Sequence, residues 1–237
     1  MKRILTLAAA GMVWAGTATA QVQSTNITLT GPTMTIPDND PSGLALTYNL
    51  LGMGGTISNV TVSLDISGGY NGDLYAYLAG PNGGFSVLLN RTGVGTGAGQ
   101  SANGYADAGF NVTFSDTGAG GLQYYQSTGY PASLVGGQET GTWQPEGVTI
   151  DPQSSPAAFS AATSGNTPLS SFDGTDPNGT WTLFLADLSA GSQSVVVTPP
   201  IIFVTTVPEP STLMLGVLDV AILAGIHRWR NRRQSQN

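Results

Sequence analysis

The sequence predicts an all-β fold, a jelly-roll-like β-sandwich, and three observations predict it. Several segments alternate apolar and polar residues with a period of two, the pattern of a strand buried on one face only. Glycine-, asparagine- and proline-rich turns separate those segments. No amphipathic helix lies between the two ends of the chain to cover the apolar faces, so a second sheet must do it.

The elements follow in order. Leu44–Leu50 reads as an early strand. In Thr56–Ile66, residues Val60, Val62, Leu64 and Ile66 share one face while Thr61, Ser63 and Asp65 share the other. Leu74, Ala76 and Leu78 alternate with Tyr75 and Tyr77 in the next strand. Phe85–Asn90 and Gly109–Ser115 continue the pattern, and Thr180–Asp187 presents Trp181, Leu183 and Leu185 on its inner side. The intervening turns are Gly68-Gly69, Asn71-Gly72, Pro81-Asn82-Gly83-Gly84 and Asp176-Pro177-Asn178-Gly179. Near the end, Ser194–Thr198 runs through Pro199-Pro200 into Ile201–Val204. Proline cannot donate to a ladder, so this strand should carry an edge or a bulge there. Residues 117–171 lose the alternation and read as a long loop rich in Gly, Ser, Pro and Gln. Tyr124, Tyr125, Tyr130 and Trp143 would hold it, and a binding surface is the competing reading.

Both ends of the chain differ from its middle. Lys2 and Arg3 precede an apolar stretch, Ile4–Gly16, and then Thr17-Ala18-Thr19-Ala20. These are the n-region, h-region and A-x-A site of a signal peptide spanning 1–20, so signal peptidase would leave Gln21 as the mature N-terminus. An uncleaved anchor is the alternative, and Ala18 and Ala20 argue against it. At the other end, Pro208-Glu209-Pro210 leads into a hydrophobic segment, 211–226, and an Arg-rich tail, 227–237, with Arg228, Arg230, Arg232 and Arg233. The prolines hold the chain extended for a processing enzyme. The apolar run is short for a bilayer, which needs about 20 helical residues. It also carries Asp219, whose charge opposes insertion. The arginines would keep the C-terminus cytoplasmic. A short sorting helix that enters the inner membrane transiently fits these parts better than an ordinary membrane anchor, the competing reading. The domain division is thus 1–20, 21–206 and 207–237.

Composition excludes whole classes of function. Between Gln21 and Val207 there are twelve carboxylates and a single base, Arg91, a net charge of −11 with no lysine. Nucleic acid and anionic membrane surfaces would be repelled, and cations are the natural partners. The chain has no cysteine, and its one histidine, His227, lies in the tail. Neither a Ser-His-Asp triad nor a histidine metal centre can be built in the central domain, which therefore reads as non-enzymatic. A hydrolase using a carboxylate pair would need two acids across a cleft, and nothing in the sequence places them so.

Candidate site residues were weighed against structural roles. Asp38-Asn39-Asp40 puts two carboxylates in one turn. Oxygen ligands at that spacing suit Ca²⁺, the one cofactor the sequence suggests and none that it requires; a solvated turn with Asx hydrogen bonds is the competing reading. Asp73 and Asp187 sit at strand ends, where capping of backbone amides is the expected role and cation binding the alternative. Trp181 is expected in the core. Tyr75 and Tyr77 could stack on sugar rings, unless the long loop covers them.

Two resemblances extend this reading. Val207–Asn237, with its Pro208-Glu209-Pro210, apolar run and arginines, resembles the PEP-CTERM sorting signal of exported bacterial proteins. That implies cleavage by an exosortase near Pro208, Glu209 and Pro210, and delivery to the cell surface or extracellular matrix of a Gram-negative bacterium. There an extracellular polysaccharide is a candidate partner. The run from Ile36 to Ala190 resembles the P/Homo B domain of subtilisin-like proprotein convertases. Ile36-Pro37-Asp38-Asn39, Val60–Ile66, Gly72-Asp73-Leu74 through Leu78, Gly80-Pro81-Asn82-Gly83, Leu169–Gly174 and Pro177-Asn178-Gly179-Thr180-Trp181-Thr182-Leu183 carry it. In that family the module is a non-catalytic β-sandwich beside a peptidase domain. The resemblance therefore invites a serine-endopeptidase label that the absence of histidine opposes. Two transport signals around a histidine-free acidic domain point to a structural or adhesive matrix protein; a polysaccharide- or protein-binding module assisted by calcium is the alternative, and the resemblance alone implies a third, an accessory to a separate subtilisin-like peptidase.

Overall fold

The computed structural model describes residues 21–31, 34–127, 134–162 and 167–208, with single positions 222 and 224 beyond. Ala18, Ala20, Glu209, Pro210, the apolar segment 211–226 as a helix and the arginine tail lie outside the described residues. Among the described residues, no helix is long and apolar enough to cross a membrane.

Among the described residues, ten strands form two sheets. They are β1 (Gln23–Thr28), β2 (Asp40–Leu50), β3 (Thr56–Gly68), β4 (Leu74–Ala79), β5 (Phe85–Asn90), β6 (Gly109–Phe114), β7 (Leu134–Val135), β8 (Gln138–Trp143), β9 (Gly179–Asp187) and β10 (Ser194–Val207). One sheet has the order β1-β10-β3-β6-β8-β7, the other β2-β9-β4-β5. All named strand pairings are antiparallel except β6 with β8. One short helix, α1 (Pro156–Ala161), is capped at its start by the Ser155 hydroxyl.

The alternation read from sequence matches the burial. Val60, Val62, Leu64 and Ile66 of β3 point inward, as do Phe110, Val112 and Phe114 of β6. From the other sheet Leu44, Leu46, Leu74, Ala76, Leu78, Leu183 and Leu185 meet them. Each large aliphatic chain so buried contributes about 1.5–3 kcal/mol relative to exposure. Trp181 lies in this core beside Phe172, with ring centroids 5.2 Å apart. Its indole N–H donates to the Pro177 carbonyl at 2.9 Å, which satisfies the single polar group of a buried tryptophan.

Two regions bear on the sequence reading: the edge or bulge expected at Pro199-Pro200 is a bulge, and residues 117–171 depart from that reading. The first is β10, which is central: it pairs with β1 on one side and β3 on the other. Two register shifts against β3, between Val196 and Thr198 and between Thr198 and Ile201, place the prolines in a bulge. There their missing donors cost no ladder bond. Beyond the bulge β1 pairs only with the Ile201–Thr206 half, and Met34–Ile36 hydrogen-bonds the other half through Ser194 and Val196.

The second is 117–171, which is more than a loop. It supplies β7, β8, α1 and two 3₁₀ turns, Leu122–Tyr124 and Leu169–Phe172. Strand β8 extends the larger sheet and buries Trp143. Gly136 and Gly137, both at positive φ, make the two-residue turn joining β7 to β8. Strand periodicity fails in β8 because its buried residues are Glu139 and Trp143, while Gly141 between them is exposed; one carboxylate and one glycine erase the apolar alternation. Asp116 ties the segment's far end down by accepting the Leu169 and Ser170 amides at 2.8 and 2.7 Å.

Candidate functional site: an acidic rim at one end of the smaller sheet

Strand register builds the site. Asp187, last in β9, lies opposite Asp40 of β2 on one side and Leu74 of β4 on the other. The ends of three strands therefore bring Asp38, Asp40, Asp73 and Asp187 to one rim. Asp187 is wholly buried, and its Oδ2 has no hydrogen-bond partner within the protein. Its Oδ1 accepts the Ser189 amide at 3.3 Å. Burial, helped by the nearby charges of Asp73 and Asp38, pushes its pKa up to about 6. Asp73 is also raised, first by burial and then by Asp38, against the pull of the Ser189 side chain and Arg91.

Arg91 holds this arrangement. Its Nη2 stands 3.9 Å from Asp73 Oδ1. Its Nε donates to the Gly72 carbonyl at 3.0 Å, and its amide donates to Leu74 O at 2.8 Å. Beside Asp73 opens a cleft of about 240 Å³ lined by Tyr70, Asp73, Asn103, Ser189 and Ala190.

The Asn71-Gly72-Asp73 turn is anchored from behind. Asn71 is buried; its Nδ2 donates to Gly109 O and Tyr125 Oη, both at 3.0 Å, and its Oδ1 accepts the Gly109 amide at 2.7 Å. Tyr125 in turn donates to Asp107 at 2.6 Å. Gly72 is obligatory for a steric reason: a Cβ there would stand 2.0 Å from Asn103 O and 2.7 Å from Gly104 Cα. In the other motif, Asn178 clamps the β2–β3 turn by accepting the Met53 amide at 3.0 Å and donating to Met53 O at 2.7 Å.

Of the candidate ligands, Asp40 caps its own turn and Asp38 fastens a segment distant in sequence. Asp40 accepts the Ser42 amide at 2.8 Å, and Asp38 accepts the Gly191 amide at 3.3 Å. Among the described residues, no three of His, Cys, Asp and Glu gather closely enough to hold a metal ion. Tyr75 and Tyr77 do not form a free platform. Both are half-buried, and Tyr77 stacks on Phe184 (centroids 4.9 Å apart, 18° between planes) and lies against Phe85 at 5.1 Å. The convergence of Asp73 with Asp187 escaped the sequence because it depends on register between β9 and β4. The shared signal is that each acid ends or begins a confident strand.

At the processing points, Gln21 is exposed and precedes β1, while Pro208 directly follows β10. The end of β10 is fastened by Thr206 Oγ1, which donates to Gly54 O at 2.8 Å. A Cβ on Gly55 would stand 2.3 Å from Val207 O.

A search of curated proteins finds no match. Among solved structures, a complex of the Aeromonas sobria serine protease with its chaperone ORF2 is similar over 80% of this chain and 28% of that one. The identity is 14% and the TM-score 0.42. The same protease crystallised without the chaperone gives 81% and 28% coverage, 13% identity and a TM-score of 0.40. The present chain thus spans less than a third of those proteins. Residues 57–146, from strand β3 through the Gly72-Asp73-Leu74 motif to Glu146, match the family model of the proprotein convertase P-domain.

Proposed function

We propose that this chain is an exported, non-catalytic β-sandwich of the cell surface or extracellular matrix, processed at both ends. The observation that carries this is where the described strands lie relative to the two expected cuts. The first strand begins at Gln23, two residues after the signal-peptide site, and the last ends at Val207, just before Pro208-Glu209-Pro210. Gln23 pairs with Thr206, so the first and last strands hold each other. Among the described residues, every paired strand residue lies between the two expected cuts. Signal peptidase and an exosortase-type enzyme are the processing partners this implies. The absence of histidine from residues 21–206 supports a non-catalytic role. Mass spectrometry of the surface form tests the proposal. An N-terminus at Gln21 and a C-terminus within 207–210 are expected; an intact 1–237 chain recovered from the surface would refute it.

A second reading is a binding module, for polysaccharide or protein, assisted by cations. The acidic cleft beside Asp73 favours it. Titration of matrix polysaccharides with and without a chelator tests this reading, and heat absent under both conditions would exclude it. The P-domain match over residues 57–146 favours a third, an accessory to a separately encoded subtilisin-like peptidase. It requires co-purification with such an enzyme.

A further inference from the structure

We propose that Glu146 is the anionic ligand of a buried Ca²⁺ site completed by the side-chain oxygens of Gln123 and Asn90, where segment 117–171 closes over the end of β5. Glu146 is fully buried, and among the described residues no side chain hydrogen-bonds either carboxylate oxygen. Asn90, also fully buried, and Gln123, 5% exposed, each carry a side-chain oxygen in the same condition.

Backbone hydrogen bonds bring the three residues to one place in the fold. The Glu146 amide donates to Leu88 O at 3.2 Å, and Asn90 stands two residues further along that strand. On the other side the Gly93 amide donates to Gln123 O, at 2.6 Å. The Gln123 backbone amide donates toward the Glu146 carboxyl, and Tyr124 lies within range of its charge. The orientation of both amides is set by their nitrogens. Asn90 Nδ2 donates to Val148 O at 3.0 Å and Ile150 O at 3.2 Å, and Gln123 Nε2 donates to Arg91 O at 3.2 Å. Turning either amide over would set its oxygen against carbonyls, so the oxygens remain as acceptors.

Acceptors held out of water with too few donors call for a positive group. Arg91, the nearby cation, is committed to Gly72 and Asp73. The donor set is oxygen only, one carboxylate and two amides, which is the set that hard cations take. Calcium accepts amide oxygens and irregular geometry, whereas magnesium demands an octahedron and keeps its waters. A single carboxylate places the site in the weak class, with Kd of about 10⁻⁴–10⁻³ M, suited to an extracellular module. Burial pushes the Glu146 pKa up to about 8, so at neutral pH the cation must displace a proton. This site is separate from the Asp38–Asp40 turn and from the acidic rim.

The test uses the full-length chain stripped with EDTA. Millimolar Ca²⁺ should raise the unfolding temperature. Terbium should give luminescence through tyrosine excitation, reversed by Ca²⁺. Calorimetry at pH 7 in buffers of different ionisation heat should register proton release. Glu146→Gln, the same shape without the charge, should abolish all three, while Asp38→Asn with Asp40→Asn should leave them intact. Should Glu146→Gln fail to fold, Gln123→Leu carries the test, with affinity for calcium expected to fall on the order of tenfold. Wild-type protein indifferent to Ca²⁺, a response retained in Glu146→Gln, an unchanged affinity in Gln123→Leu, or an equal response to Na⁺ would each overturn the assignment.

Discussion

Gly72→Ala is the sharpest probe of the Asn71-Gly72-Asp73 turn. The added methyl carbon would stand 2.0 Å from Asn103 O, 2.7 Å from Gly104 Cα and 2.9 Å from Asn103 C. All three are backbone atoms, so no side chain can swing aside. The Gly72 amide donates to Tyr105 O at 3.0 Å and its carbonyl accepts from Arg91, so a shift of the turn also disturbs the rim. Overpacking costs about 1–3 kcal/mol, and rigid neighbours on this side put the expectation at about 3 kcal/mol. For a domain of this size each kcal/mol lowers Tm by about 2–4 °C, giving a fall of roughly 6–12 °C. Gly121→Ala is the matched control. Gly121 has φ −68° and nothing within 4 Å of the added carbon, so its effect should stay within about 0.5 kcal/mol. Thermal unfolding followed by circular dichroism, with urea titrations for ΔΔG, measures both. If Gly72→Ala proves as mild as Gly121→Ala, the packing of residues 103–104 against the turn is refuted.

Other expectations follow from the same network. Asn71→Ala strands the buried Gly109 N–H and C=O and should cost about 2–4 kcal/mol. Tyr125→Phe loses only the hydroxyl's bonds and should cost about 1–2 kcal/mol; equal losses in urea titrations would contradict the network. Phe172→Ala empties a site against Trp181, Gly80 and Gly84 and should cost about 3–5 kcal/mol. A smaller loss, with unchanged tryptophan fluorescence, would place Phe172 outside the core. For pH, both Asp187 and Glu146 have folded pKa values above their unfolded ones, so the folded state binds more protons and stability falls as pH rises. In chelator, Asp187→Asn should flatten the decline between 3.8 and about 6, and Glu146→Gln that between 4.5 and about 8. Urea titrations at several pH values check this, and slopes identical to wild type would reject the assignments.

Much of the fold is local enough to be read along the chain. Val60, Val62, Leu64 and Ile66 announce β3 because one face of a half-buried strand must be apolar every second residue. The same holds for Leu74–Leu78 and for Trp181–Leu185. Strand β1 has Ile27 as its one apolar residue, and β8 buries a glutamate, Glu139, beside Trp143 and exposes Gly141 between them, so neither strand shows an apolar alternation. Asp73 and Asp187 were each visible at a strand end, while Glu146 stood in a stretch without periodicity and gave no signal.

The sequence by itself determined the export signals as expectations, the acidic charge, the absence of imidazole from residues 21–206 and the strands whose inner faces are apolar. Those depend on composition and on neighbours a few residues apart. The tertiary structure alone decided that β10 is central, that Asp187 meets Asp73, and that Glu146 is buried with two amide oxygens nearby. These depend on pairings between residues far apart in the chain. Their register is set by the summed packing of two sheets, a quantity that no local window of residues contains.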